Sequence, residues 1–118
     1  MYRLLFVTLG TLVMAGCGQP KLSATPSSLR GCGGATRPSS VSVSWSAYKA
    51  TQGKPIRLWA HNPDAFGNDQ VTLWMEQGPV GTASTGRWVV PGTRITLTDA
   101  SGMRTLAEIR IGRLACKS

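Results

Sequence analysis

Short segments in which apolar and polar residues alternate make up most of the chain after residue 40. In the clearest of them, Val41, Val43 and Trp45 alternate with three serines over residues 41–46. A period of two predicts an antiparallel strand with one buried face and one exposed face. The same alternation predicts buried faces at four further sets of residues, which are Ile56, Leu58 and Ala60; Val71, Leu73 and Met75; Ile95 and Leu97; and Ala107, Ile109 and Ile111.

Turn-forming residues separate these segments. Residues 62–69 are dense in Asn, Asp, Gly and Pro, and shorter turn signals follow at 78–79, 91–92 and 99–102. These residue types favour the backbone conformations that tight turns require. About six or seven short strands, with turn signals roughly every 8 to 12 residues, predict an all-β fold built as an antiparallel β-sandwich.

Two tryptophans stand at positions that face away from the aliphatic sets. If the segments on either side of residues 66–67 form a hairpin, Trp59 lies opposite Trp74. Together with Arg57 and His61, the two indoles form a candidate ligand surface for a sugar ring or an apolar peptide group. A purely structural pair is the alternative, since cross-strand aromatic side chains also stabilise sheets.

The spacing of strands and turns over residues 39–112 resembles that of bacterial immunoglobulin-like or fibronectin-III-like domains. The matching segments are 43–45, 76–81, 85–88 and 91–99. The resemblance implies an Ig-like sandwich, with Trp45 and Trp88 at inward positions of its core. The first of these strands contains no cysteine, so the inter-sheet disulfide of antibody domains is absent.

The N-terminus has the layout of a secretory signal peptide over residues 1–16. Arg3 precedes the apolar run 4–13, which ends at the small residues Ala15 and Gly16. The run is shorter than the roughly 20 residues that cross a bilayer core as a helix, which argues against a permanent membrane helix.

Residues 12–17, with the sequence LVMAGC, resemble the lipobox of bacterial lipoproteins, although Met14 stands where Leu is usual. The resemblance implies that Cys17 becomes the mature N-terminus and carries fatty acyl chains such as palmitate. Several chains on one residue give stable membrane anchoring. Gly18, rather than Asp, follows the cysteine, which implies the cell envelope and, in a Gram-negative cell, the outer membrane.

Assigning Cys17 to lipid leaves Cys32 and Cys116. Exported proteins meet an oxidising compartment, so we expect a disulfide between these two residues. It would close a loop of 116 − 32 = 84 residues, which in the chain-entropy model stabilises the fold by on the order of 4 to 5 kcal/mol. A zinc site is the alternative for two thiols, but His61 is the single histidine and the ligand set is incomplete.

Residues 17–38 are rich in Gly, Pro and Ser, a composition that buries little apolar area. We therefore expect a lipidated N-terminus and a flexible tether over 17–38, with a short edge strand near 22–25. The Ig-like β-sandwich domain is predicted over 39–118.

The charge balance favours anionic partners. The chain has 13 basic and 5 acidic residues, and loss of Arg3 with the signal peptide leaves 13 − 1 = 12 basic residues and a net charge of +7. Such an excess attracts lipid headgroups, polyanions or acidic protein surfaces. Nucleic acid is not an expected partner, since an exported, lipid-anchored protein seldom meets it.

Catalytic and cofactor motifs are missing from the sequence. It has no Gly-x-Ser-x-Gly elbow, no close carboxylate pair and no nucleophile signature beside His61. We therefore expect a non-catalytic protein with no cofactor and no metal site. Asp64, Asn68 and Asp69 carry oxygen ligands, but their spacing differs from that of a calcium loop and ordinary turn chemistry accounts for them.

Four basic residues near the C-terminus allow two interpretations. They could contact anionic headgroups, or they could be a solvated edge that blocks strand addition. These residues are Arg104, Arg110, Arg113 and Lys117.

These features predict a lipid-anchored envelope protein that acts as a non-catalytic binding or structural module. Two more specific functions stay open at this point. The chain could be a subunit of a larger envelope or secretion assembly that engages a partner through a sheet edge. It could instead bind glycans through Trp59 and Trp74.

Overall fold

The computed structural model describes residues 19–30, 38–64, 66 and 68–114. The signal peptide, the lipobox and all three cysteines, Cys17, Cys32 and Cys116, lie outside the described residues. Lipid attachment and the disulfide therefore stay predictions.

Nine strands and one short helix form the regular structure of the described residues. In chain order they are β1 (Lys21–Thr25), β2 (Ser28–Arg30), β3 (Ser42–Ser46), α1 (Tyr48–Thr51), β4 (Ile56–Pro63), β5 (Asp69–Gln77), β6 (Val80–Ser84), β7 (Arg94–Asp99), β8 (Thr105–Arg110) and β9 (Gly112–Leu114).

The strands form two larger antiparallel sheets and one small parallel pair. One sheet has the order β1-β3-β6 and the other has the order β5-β4-β7-β8, while β2 pairs with β9 in parallel. The predicted all-β fold with antiparallel sheets is confirmed. The parallel pair is an addition that the sequence pattern did not predict.

The core contains the inward faces of the central strands of both larger sheets. Val43 and Trp45 on β3 join one cluster with Leu58 on β4 and Leu97 on β7, and all four side chains are almost completely buried. Alternation predicted these positions correctly because each strand has one face in the core and the other outside it.

The segment expected to be a tether over 17–38 contains two strands, and the first of them, β1, is the edge strand expected near 22–25. β1 pairs with β3 along its whole length, and its Leu22 and Ala24 lie opposite Trp45 and Val43 and pack against the core. Two apolar residues suffice here because the neighbouring strand supplies the hydrogen bonds and most of the buried surface. Residues before the predicted domain boundary at 39 therefore take part in the sheet and pack against the core.

The small residues of β6 are a packing requirement for Trp45. This segment forms an edge strand paired with β3. A Cβ atom on Gly81 would lie only 2.7 Å from Cζ2 of Trp45, so the glycine leaves the space that the indole occupies. The indole Nε1 donates a hydrogen bond to the carbonyl oxygen of Gly78 at 2.9 Å.

Replacement of Gly81 by alanine tests this close approach. We expect Gly81→Ala to lower the free energy of unfolding by about 1 to 3 kcal/mol, since a side chain there overpacks the core. Gly78→Ala is the matched control, because a Cβ at Gly78 meets nothing within 4 Å. Urea denaturation measures both, and equal losses in the two variants would contradict the packing argument.

Candidate functional site

The outer face of the four-stranded sheet brings together three of the four residues of the predicted ligand surface. Arg57, Trp59 and His61 alternate with buried residues along β4, as predicted. Neighbouring strands place further residues on the same face, with Leu73 of β5 opposite Trp59 and Val71 opposite His61. The contribution of β7 to this face is Arg94, Thr96 and Thr98.

Trp74 lies on the other side of the sheet, so the predicted pairing of Trp59 with Trp74 is wrong. The register shifts by one residue between Leu58 and Trp59, and Trp59 pairs with Leu73. Trp74 is the extra residue of this β-bulge and packs towards the core. Its ring meets the ring of Trp88 edge to face, with centroids 5.7 Å apart.

The same bulge reverses the predicted faces of the residues of β5 that precede it, while Met75 beyond it packs against the core as predicted. Alternation predicted Val71 and Leu73 in the core, but they are 56% and 43% exposed. A shift of one residue moves every side chain beyond it to the opposite face. The glycan surface that required two adjacent indoles is therefore absent from the described residues.

Trp59 is held rigidly and is only partly exposed. Its indole Nε1 donates a hydrogen bond to Oγ1 of Thr98 at 2.9 Å, and the Thr98 hydroxyl in turn donates to the carbonyl oxygen of Asp99. Gly102, with φ +77°, lies over the indole, because a Cβ there would be 3.2 Å from Cζ2 of Trp59. The β7–β8 turn thus covers one edge of the ring.

His61 stands in the middle of a hydrogen-bonded chain that crosses the sheet. Arg94 donates to Nδ1 of His61 at 3.1 Å and to Oδ2 of Asp69 at 3.0 Å. The imidazole Nε2 lies 3.1 Å from the Thr96 hydroxyl, which donates to Oε2 of Glu108 at 3.2 Å. An arginine can only donate, so Nδ1 is the acceptor and the neutral imidazole carries its proton on Nε2.

The surroundings of His61 oppose its protonation. Partial burial is the largest cause of a lowered pKa, and the nearby Arg94 guanidinium lowers the pKa of His61 further. The carboxylates of Asp69 and Glu108 act in the opposite direction but more weakly. The imidazole is therefore neutral near pH 7 and serves as an acceptor for Arg94.

A shallow cavity of about 290 Å³ opens on the outer face. Its hydroxyl and ring nitrogen atoms at Thr96, Thr98, Trp59 and His61 are engaged in the hydrogen bonds described above. Apart from the Thr105 hydroxyl, the remaining lining is apolar and suits an aliphatic or aromatic group better than a sugar, whose several hydroxyls need free partners. The lining residues are Trp59, His61, Val71, Thr96, Thr98, Gly102 and Thr105.

A second cavity, of about 360 Å³, lies where α1 meets the β7–β8 turn. Lys54, Arg104 and Asp99 are among its lining residues. The Ser101 hydroxyl donates to Oδ1 of Asp99 at 2.6 Å, and this hydrogen bond is the main reason that the pKa of Asp99 is lowered. The carboxylate is thus part of the turn.

The edge of β5 is the exposed feature that the sequence pattern missed. Among the described residues, β5 pairs with β4 alone, and all five residues from Asp69 to Leu73 are exposed. Of these, Asp69 is the one charged residue, and no proline interrupts the run. Unpaired backbone groups on such an edge are a template for another strand.

The remaining candidate residues either take part in turns and ion pairs or lie far apart from one another. Oδ1 of Asp64 accepts the backbone N–H groups of Phe66 and Asn68, which is Asx-turn chemistry, and Asp69 pairs with Arg94. Arg104 immediately precedes β8 and Arg110 ends it, which separates them by roughly 20 Å at the usual strand rise. Lys117 lies outside the described residues.

Comparisons with protein-family models, with curated proteins and with solved structures found no match to this chain. Within the described ranges, no three His, Cys, Asp or Glu side chains group together so as to hold a metal ion. The same part of the chain has no helix with the length and apolar character needed to span a membrane.

The lowered pKa of His61 predicts how stability depends on pH. The native state binds fewer protons than the unfolded state between the native pKa and the ordinary value of 6.5. The stability that the neutral imidazole contributes is therefore complete above pH 6.5. The free energy of unfolding falls as the pH is lowered from 6.5 through the native pKa of His61.

Urea denaturation at several pH values between about 7 and 5 measures this dependence, with the range set by the ordinary histidine pKa. We expect the decline to be smaller in His61→Gln than in the unmodified protein. An identical decline in both proteins would contradict the assignment to His61.

Proposed function

We propose that this chain is a lipid-anchored, non-catalytic binding module of the bacterial cell envelope that docks an extended segment of another polypeptide along β5. The exposed edge from Asp69 to Leu73 is the observation that carries the proposal. The proposal takes up the sheet-edge interaction that the sequence left open. The glycan alternative is dropped, because it required the pair of indoles.

Strand addition fits the chemistry of this edge. The backbone of β5 offers N–H and C=O groups on the side away from β4, and main-chain hydrogen bonds supply affinity in this mode of recognition. Val71 and Leu73 project from the outer face beside Trp59 and offer apolar contacts to alternate side chains of the added strand.

The charges near this edge are compensated within the chain. The Asp69 carboxylate lies 3.0 Å from Arg94, and the Glu76 carboxylate lies 2.8 Å from Nε of Arg57. A partner strand therefore meets little net charge at β5, although the whole chain carries +8. Exposed pairs of this kind contribute little stability, so their role here is to keep the edge neutral.

Membrane attachment at Cys17 is the second part of the proposal. The lipobox resemblance supports it, and acyl chains would hold the module at the bilayer surface. Confinement to a membrane raises the effective concentration of any partner in the same membrane. A weak strand-edge contact then suffices for association.

The parallel pairing of β2 with β9 supports a disulfide between Cys32 and Cys116. Arg30 and Leu114 are register partners in this pair, and each of them precedes a cysteine by two residues. The residues that precede the two cysteines therefore lie side by side on neighbouring strands. Such a bridge would fasten the two ends of the folded domain to each other.

An Ig-like identity of the sandwich belongs to the same proposal. The packing of β3 against β4 and β7 through one shared core supports it.

Intact mass spectrometry of protein extracted from membranes tests the anchor and the bridge. We expect a chain that begins at Cys17, carries the mass of added acyl chains and gains about two protons on reduction. A Cys17→Ala variant is the control and should lack the acyl mass. A chain that keeps Met1, or free thiols at Cys32 and Cys116 before reduction, would contradict the corresponding part of the proposal.

Site-specific photocrosslinking in intact cells tests the docking edge. A photoreactive residue at position 73 should form a covalent adduct with another polypeptide. The same residue at position 103 should not, because Met103 is 88% exposed but lies outside β5. A Val71→Lys change should remove the adduct while altering the free energy of unfolding by less than about 0.5 kcal/mol, since Val71 is a surface residue.

Equal adduct formation at positions 73 and 103 would contradict a docking role for β5, as would no adduct at either position.

A further inference from the structure

We infer that the polypeptide docked on β5 is a second copy of this chain, paired antiparallel through the same strand about a two-fold axis at Val71. This inference rests on the proposed function, because it names the partner of that edge. The observations behind it are the length of the exposed run and its charge pattern, in which Asp69 is the one charged residue.

The bulge at Trp74 defines the length of the run. From Asp69 to Leu73 the strand pairs regularly with β4, all five residues are exposed, and the register shifts at the next residue. A strand added to β5 can therefore continue in register over these five residues. Their midpoint is Val71.

Antiparallel pairing of two copies about Val71 gives compatible neighbours at the three central positions and places no like charges opposite each other at the ends. Val71 faces its own counterpart, Gln70 faces Thr72, and Asp69 faces Leu73. Apolar pairs and uncharged polar pairs directly opposite each other stabilise antiparallel sheets, whereas like charges in that position destabilise them. In this register no carboxylate lies directly opposite another.

Other symmetric registers are less favourable. A two-fold axis at Asp69 places two carboxylates opposite each other. An axis at Leu73 extends the pairing through Trp74, whose side chain packs towards the core and whose backbone interrupts the regular ladder. The axis at Val71 uses the whole regular run and avoids both conflicts.

The outer face continues across such a dimer. Val71 of each copy would lie opposite Val71 of the other, while Leu73 of each copy would lie opposite Asp69 of the other and next to its own Trp59. The exposed aliphatic surface of both copies is then shared in a single eight-stranded sheet. Because the contact is isologous, it closes after two copies and leaves no β5 edge for further growth.

Five paired residues on each side form a small interface. Stable protein complexes usually bury on the order of 1,200 to 2,000 Å², so we expect the dimer to be weak in dilute solution. Attachment of both copies to one membrane would raise their effective concentration. The test is therefore made on the full chain in its membrane.

The experiment uses variants that each carry one additional cysteine, together with a short thiol-specific crosslinker. Two differently tagged copies of Val71→Cys are expressed together with their signal peptides, and membranes are treated with the crosslinker. We expect a product of twice the monomer mass that carries both tags. Unmodified protein with its three native cysteines gives the background, and Met103→Cys gives the control for random collision.

The register is tested with a mixed pair. Copies with Gln70→Cys and copies with Thr72→Cys should crosslink to each other at least several-fold more efficiently than either variant crosslinks to itself, because the axis at Val71 places residue 70 opposite residue 72. Equal efficiency in the mixed and the unmixed samples would overturn this register.

The outcomes separate this inference from the proposed function. A product with both tags at Val71→Cys, well above the Met103→Cys control, supports the homodimer. Equal products at both positions overturn it. Absence of that product, together with a photoadduct of different mass at position 73, overturns the homodimer but leaves strand docking in place. Absence of both products overturns both proposals.

Discussion

The single-residue bulge at Trp74 determines much of what this molecule presents to its surroundings. Before the bulge, Val71 and Leu73 share the outer face with Trp59, and beyond it Met75 packs against the core. Trp74 itself turns inward and meets Trp88 edge to face. A large aromatic ring gains more from burial against another indole than from exposure, which offsets the loss of one regular pairing step.

The outer face combines a polar network, in which the Nε of Arg94 is the only buried polar side-chain atom of the described residues without a hydrogen-bond partner, with the unpaired edge of β5. His61 and Thr96 have their hydrogen-bonding groups engaged by Arg94 and Glu108, so this network stiffens the sheet and leaves little for a polar ligand. The free binding capacity lies instead in the backbone and the aliphatic side chains of β5. This division is why strand docking fits the face better than recognition of a sugar.

The two ends of the folded domain lie side by side. β2, from the segment that composition assigned to a tether, pairs with β9 near the C-terminus, and β1 adds an edge strand to the sheet of β3 and β6. A disulfide at this place would reinforce an arrangement that strand pairing already forms.

The sequence by itself determined the all-β class and the inward faces of β3, β4 and β7. Strict alternation allows a single choice of buried face, and hydrophobic side chains occupy it. It also placed Arg57, Trp59 and His61 on one face. These predictions depend only on residues that are neighbours along one strand. A local sequence pattern contains that information.

Only the packed structure shows the bulge at Trp74, the strand character of β2 and β6, and the exposed edge of β5. Each depends on contacts between distant segments. The glycine of β6 matters because Trp45 needs space, and the face of Trp74 is set by Trp88 on another segment. A residue pattern with period two contains no information about such partners, and a shift of one residue is enough to reverse the face that it predicts.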